Sequence, residues 1–122
     1  MSLSIGIDSG STATKGILFD HRDGGRIVRR FLVPTPFRPL AAIEQGWETL
    51  SAALPERPHL TLTGYGRDLA SFADRRVTEI SCHGLGARLL CPSVHTVIDI
   101  GGQDSKVIQL DGEGNLTDRK SV

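Results

Sequence analysis

The stretch Ile7-Asp8-Ser9-Gly10-Ser11-Thr12-Ala13-Thr14-Lys15-Gly16 decides the reading of this chain, because a second version follows as Ile98-Asp99-Ile100-Gly101-Gly102-Gln103-Asp104-Ser105-Lys106-Val107. In each, an apolar run ends in Asp, Gly stands two residues on, Lys seven on, and a second Asp twelve on, at Asp20 and Asp111. Each copy closes in a Gly-containing turn, at Gly24-Gly25 and at Gly112 to Gly114. Strand, Gly/Ser/Thr turn, strand describes a β-hairpin whose turn offers backbone N–H groups and hydroxyls to an anion. One such turn is a weak signal. Two in register, each with an acid at its mouth, carry more.

Outward from the first copy, Leu3 to Asp8 and Thr14 to Phe19 read as paired strands, with a polar turn from Asp20 to Gly25. Arg26 to Val33 is a third strand with Arg29 and Arg30 on its charged outer face, which completes an antiparallel meander. Pro34, Pro36 and Pro39 forbid further ladder pairing. From Leu40 to Leu54 the apolar residues Leu40, Ile43, Trp47, Leu50 and Leu54 fall near the helical period, so this is a helix with Trp47 in the core. His59 to Thr63 alternates as a fourth strand and runs into Gly64-Tyr65-Gly66-Arg67. That turn either punctuates the chain or faces a ligand cleft, where loops after central strands commonly sit. Beyond it the pattern suggests a short helix at Asp68 to Ala73, a short strand at Val77 to Ile80, and a helix at Ser81 to Leu90. Val94 to Ile100 and Ser105 to Leu110 form the repeated hairpin, and Asn115 to Thr117 begins a further strand that the chain end cuts short.

Fourteen basic and fourteen acidic residues balance to zero, which recommends neither nucleic acid nor a membrane surface as partner. No apolar run is long enough for a transmembrane helix, and the N-terminus enters a strand without a signal-peptide pattern. Cys82 and Cys91 make no disulfide framework. The expectation is a cytoplasmic protein with reduced thiols. Cys82-His83 and Cys91 match no zinc spacing, and a buried cysteine pair in a helix is the expected arrangement.

A duplicated α/β unit with matching hairpins suggests two lobes clamping a nucleoside triphosphate. Asp8 and Asp99 are the expected catalytic acids, and they make sense beside phosphates only with a cation, most naturally Mg²⁺ held partly through water. Phosphoryl transfer needs little beyond positioning and charge neutralisation. The expected phosphate-binding set is Gly10, Ser11, Thr12, Ala13, Thr14 and Lys15 in the first turn and Gly101, Gly102 and Gln103 in the second. Gln103 or one of the two acids could also orient the attacking water. The pattern is neither a Walker A loop nor a dinucleotide fingerprint.

Four segments in order, Gly6 to Lys15, Thr63 to Arg67, Glu79 to His83 and Ile98 to Asp104, resemble the activator ATPases of the 2-hydroxyacyl-CoA dehydratases and benzoyl-CoA reductases. The resemblance covers nearly the whole chain. It implies membership of the actin, hexokinase and acetate kinase superfamily, with two ribonuclease-H-like lobes around ATP or ADP. It implies ATP-driven transfer of one electron from a [4Fe-4S] cluster, held at a homodimer interface, to a dehydratase or reductase partner. Ser11 to Lys15 match the first phosphate loop and Gln103 the second. No residue here matches a cluster-ligand cysteine.

The expected fold is therefore α/β: a ribonuclease-H-like mixed sheet with helices, an actin-like ATPase lobe over residues 1–92, plus the first hairpin of a truncated second lobe over 93–122. The expected function is that of an N-terminal fragment of an iron–sulfur-dependent activator, inactive alone. Its orphan hairpin should fold back or pair with a second copy. A sugar- or acetate-type kinase fragment and a non-catalytic binding remnant are the alternatives.

Overall fold

The computed structural model describes residues 2–101, 105–113 and 115–121. The chain divides into two compact units, Met1–Val77 and Thr78–Val122.

In the first unit, strands β1 (Leu3–Ser9), β2 (Ala13–Asp20) and β3 (Arg26–Pro34) form the expected antiparallel meander, and β4 (His59–Gly64) adds in parallel beside β1. The order is β3-β2-β1-β4-β5, where β5 is the two-residue strand Arg75–Arg76. Helix α1 (Pro39–Ser51) crosses over between β3 and β4. Its apolar stripe and the alternation of the strands put Ile5, Ile7, Leu18, Phe31, Ile43, Leu50, Leu60 and Leu62 into one core. Glycines let the helix come close: a side chain at Gly16 would press on Ile7 and on Leu50 of α1, and one at Gly46 would press on Phe31 and reach Ile7. α1 therefore lies on the face of β1 that carries Ile5, Ile7 and Ser9, and Asp8 points from the opposite face.

Several local expectations are corrected. α1 ends at Ser51, because Arg29 turns from the expected outer face to cap it, donating from Nη1 to the carbonyls of Leu50 (3.1 Å) and Ala52 (2.7 Å). Trp47 is half-buried at the core margin, its ring tilted by 52° against that of Phe72 and covered by the Arg57 guanidinium. No helix forms at Asp68 to Ala73. Isolated turns there (Arg67 N–H to Gly64 O, Leu69 N–H to Gly66 O) drop Ala70 into the core. The strand expected at Val77 to Ile80 is replaced by β5 and by an earlier helix start. Thr78 accepts a hydrogen bond from Ser81 N and caps α2 (Glu79–Leu90).

In the second unit, β6 (Thr96–Ile100), β7 (Ser105–Leu110) and β8 (Leu116–Ser121) form a three-stranded antiparallel sheet. The last stretch is thus a full strand and not a stub. β7 supplies pairing partners along its whole second edge, and Asp111 forms the turn by accepting from Glu113 N and Asn115 N. α2 rests on the face carrying Ile108 and Leu110, which a side chain at Gly84 would touch. The cysteines are not a buried pair: Cys82 is half-buried in α2 and Cys91 is exposed just past its end, free like Cys82.

Candidate functional site

Hairpin register turns the sevenfold spacing into contact. Asp8 pairs with Lys15 across β1 and β2, and Asp99 pairs with Lys106 across β6 and β7. The repeat is therefore structural as well as sequential. In the first hairpin the Lys15 ammonium sits 3.2 Å from Asp8 Oδ2 and also donates to Ala13 O. Asp8 is a quarter exposed and Lys15 half exposed, so the pair is open to an incoming ligand.

The turn between them is braced from outside. Gly10 N–H donates to Ala13 O (3.1 Å), and Thr35 fastens both flanks, its N–H to Thr12 O and its hydroxyl to Gly10 O. Gly10 is needed there because a side chain would meet Ala13 O and the Lys15 ammonium. Ser11 and Thr12 project into solvent with free-standing hydroxyls at the tip, and Ala13 is half-buried. Thr14 differs from its neighbours. It lies fully buried on the α1 side, and its hydroxyl is shared with that of Thr35 at 2.9 Å. Thr14 thus braces the loop, while Ser11, Thr12 and Lys15 remain presentable to an anion. Thr35 was not singled out from sequence, and its only signal was its place between two prolines.

A third wall comes from the turn after β4. β1 and β4 run parallel with Asp8 opposite Thr63 and Ser9 opposite Gly64, so both strands end at the same edge. Gly64 has φ +90°, and a β-carbon there would strike the Asp8 carboxylate and the Ser9 carbonyl. Gly66 packs over the Ser9 hydroxyl and donates its N–H to Ser9 O at 3.2 Å. The glycines of this turn are thus set by close approach to the acid-bearing strand end. Two hydroxyls at this edge, Ser9 Oγ and Thr63 Oγ1, are buried without a hydrogen-bond partner. Each such group costs about 1–3 kcal/mol.

In the second unit Asp99 meets a different neighbour. His83 Nδ1, from α2, lies 2.9 Å from Asp99 Oδ2, although not along the N–H direction of a hydrogen bond. Gly101 is exposed, whereas Gly102 and Gln103 lie outside the described residues. Arg88 ties α2 to the neighbouring turns through the carbonyls of Val94, Asp111 and Gly112.

Among the described residues no group of three His, Cys, Asp or Glu could hold a metal ion. A divalent cation at Asp8 would then rely on phosphate oxygens and water for its remaining ligands, which suits Mg²⁺. The open carboxylate and the unpartnered Thr63 hydroxyl beside it fit such a hydrated ion. Cys82 and Cys91 are the chain's two cysteines, so one copy by itself falls short of the four thiolates that an iron–sulfur cluster takes. Among those residues no helix is long and apolar enough to cross a membrane.

Residues 5–120 match the family described as BadF/BadG/BcrA/BcrD ATPases. Over 118 residues the chain is 70% identical to the protein YjiL of Escherichia coli strain K12, covering 97% of this chain and 45% of that protein. It is 42% identical over 118 residues to the (R)-2-hydroxyglutaryl-CoA dehydratase activating ATPase of Acidaminococcus fermentans, covering 93% of this chain and 44% of that protein. The solved activator of the 2-hydroxyisocaproyl-CoA dehydratase from Clostridium difficile, with bound ADPNP, superposes with a TM-score of 0.78 at 35% identity. That superposition covers 98% of this chain and 45% of the activator. The chain thus spans somewhat under half the length of these relatives, and the mixed α/β architecture expected from sequence is theirs.

Proposed function

Because this chain belongs to the BadF/BadG/BcrA/BcrD ATPase family, we propose that it binds the phosphates of ATP or ADP through its two Asp–turn–Lys hairpins, as part of an activator serving a 2-hydroxyacyl-CoA dehydratase or reductase partner. One observation carries the reading: Asp8 faces Lys15, and Asp99 faces Lys106, in matching hairpin registers across Gly-containing turns. The assigned phosphate contacts are the N–H groups and hydroxyls from Gly10 to Thr12, the Lys15 ammonium, and Gly101 to Gln103. Ala13 and Thr14 serve by holding the first turn in shape.

Lys15 and Asp8 neutralise each other before nucleotide arrives. Phosphates entering the turn draw the Lys15 ammonium to themselves and free the carboxylate. Asp8 is then available to hold water. When bound, Mg²⁺ would supply charge neutralisation at the phosphates, with Asp8 and Asp99 as its protein anchors through water. In such chemistry the protein contributes position and electrostatics.

In the relatives' role the outcome of ATP hydrolysis would be electron delivery to the partner enzyme. By itself the chain is proposed to bind nucleotide without assembling a cluster or turning over ATP at a useful rate. The uncovered residues Ile98 and Ile100 would be buried by a second copy in a homodimer, which light scattering at rising concentration would reveal. A strictly monomeric mass would count against it.

The deciding experiment is a thermal-shift titration with MgATP and MgADP. A ligand at about 100 times its Kd raises stability by about 2.7 kcal/mol, so a millimolar nucleotide should shift the melting curve visibly. Asp8→Asn should abolish the Mg²⁺-dependent part and Lys15→Met should weaken both nucleotides. No shift with either nucleotide would overturn the proposal. Anaerobic reconstitution with iron and sulfide should yield a colourless protein, and a brown one with stoichiometric iron would refute the cluster-free state.

A further inference from the structure

Across β2, β1 and β4, three side chains stand in a row on one sheet face: Lys15, Asp8 and Thr63. Neighbouring strands lie about 4.8 Å apart, so the Thr63 side chain flanks Asp8 on the side away from Lys15. Thr63 is 9% exposed, and its Oγ1 has neither solvent nor a hydrogen-bond partner. Valine has the same shape, favours strands at least as well and leaves no hydroxyl unpaired. A hydroxyl kept idle here therefore asks for a partner the unliganded chain does not supply. The other unpartnered hydroxyl, Ser9 Oγ, is on the opposite face beneath Gly66 and has no acid beside it.

We propose that Thr63 is a further residue of the site, its hydroxyl bonding an oxygen seated at the Asp8 carboxylate when magnesium nucleotide is bound. The inference rests on the nucleotide reading above. The oxygen belongs either to a water of the hydrated cation or to a phosphate. A threonine hydroxyl can serve both, because it accepts from a cation-polarised water and donates to an anionic oxygen. Gly64 makes the arrangement possible, since it lets the chain turn away beside Asp8 without a side chain pressing on the carboxylate.

The test compares Thr63→Val and Thr63→Ser with the parent chain, reading the melting temperature without ligand and the affinity for MgADP, Mg²⁺-free ADP and Mg²⁺ alone. Thr63→Val should melt no lower than the parent chain, yet bind MgADP about 10-fold more weakly. Thr63→Ser should keep the parental affinity. Weakening confined to the Mg²⁺-containing arms identifies the water, and equal weakening without Mg²⁺ identifies a phosphate oxygen. Parental affinity in Thr63→Val overturns the inference, as does a lower melting temperature without ligand, which would reveal an internal partner such as a buried water. If the parent binds and Asp8→Asn does not, while Thr63→Val is unaffected, only this inference falls. If the parent binds no nucleotide at all, the proposed function falls and takes this with it.

Discussion

The two hairpins share a motif and a register but not an environment. Ile7, next to Asp8, is 1% exposed, whereas Ile98, next to Asp99, is 67% exposed. The reason is the position of the helix. α1 covers the Ile7 face of its sheet and leaves Asp8 on the open side. α2 lies on the other face of its sheet, where His83 touches Asp99 and Gly84 meets Leu110. The same ten-residue pattern thus serves one hairpin as the centre of a packed sheet and the other as a surface with an acid held from behind. A local motif sets which residues face each other; it does not set which face is dry.

The largest effect that could break this contrast is a cavity. Ile7→Ala should cost about 2–5 kcal/mol, while Ile98→Ala, equivalent in sequence, should cost no more than about 1 kcal/mol. Urea denaturation of the two variants decides it, and comparable losses would mean the Ile98 face is covered. Next comes the turn chemistry. Gly64→Ala should cost about 1–3 kcal/mol for the positive φ alone, with further loss from pressure on Asp8. Gly112→Ala, which meets nothing within 4 Å and has no positive φ, should be within about 0.5 kcal/mol of the parent.

The acid response separates the far ends of the hairpins. The Arg22 guanidinium, bonded to the buried Asp20 carboxylate, holds its pKa down to about 2 from 3.8. A depressed folded-state pKa gives stability that is present above the unfolded value and lost as pH falls through the folded one. Arg22→Ala should therefore lower stability at neutral pH and flatten the loss between about pH 4 and pH 2. At Asp111 the N–H of Asn115 is the main cause of a lowered pKa. Its acid sensitivity should survive Arg22→Ala, as an acid titration followed by circular dichroism would show. The smallest effects belong to the half-exposed pairs. Lys15→Ala and His83→Ala should each cost less than about 1 kcal/mol in fold stability, and less still at high salt. Only Lys15→Ala should also weaken nucleotide.

Much of the first unit was legible because its signals are local. Alternation located β1, β2, β3 and β4 to within a residue or two, and the stripe from Leu40 to Leu54 located α1 but ran three residues past its end at Ser51. Where distant residues intervene, the pattern misled. Asp68 to Ala73 has helical composition, but pinning Ala70 into the core leaves only turns. Arg29 reads as a solvated charge and is claimed instead by the end of α1. Thr14 reads as one of the phosphate-binding set with Ser11 and Thr12, and no sequence signal told that strand parity turns its side chain to the α1 side, where its hydroxyl meets that of Thr35. Thr63 reads only as the end of a strand before a glycine turn, because its pairing with Asp8 joins strands separated by a whole crossover.

By itself the amino-acid sequence determined the two Asp–turn–Lys hairpins. A spacing of seven across a tight turn places those side chains opposite one another through backbone geometry alone. It also carried the family resemblance, since the two hairpin turns occur in order with Thr63 to Arg67 and Glu79 to His83 between them. Tertiary structure decided which sheet face each helix covers, hence why Ile7 is core and Ile98 is surface. It decided as well that Thr63 and Gly64 stand beside Asp8. Burial and parallel pairing depend on segments far apart in the chain, whose meeting is driven by apolar area and not by any local spacing.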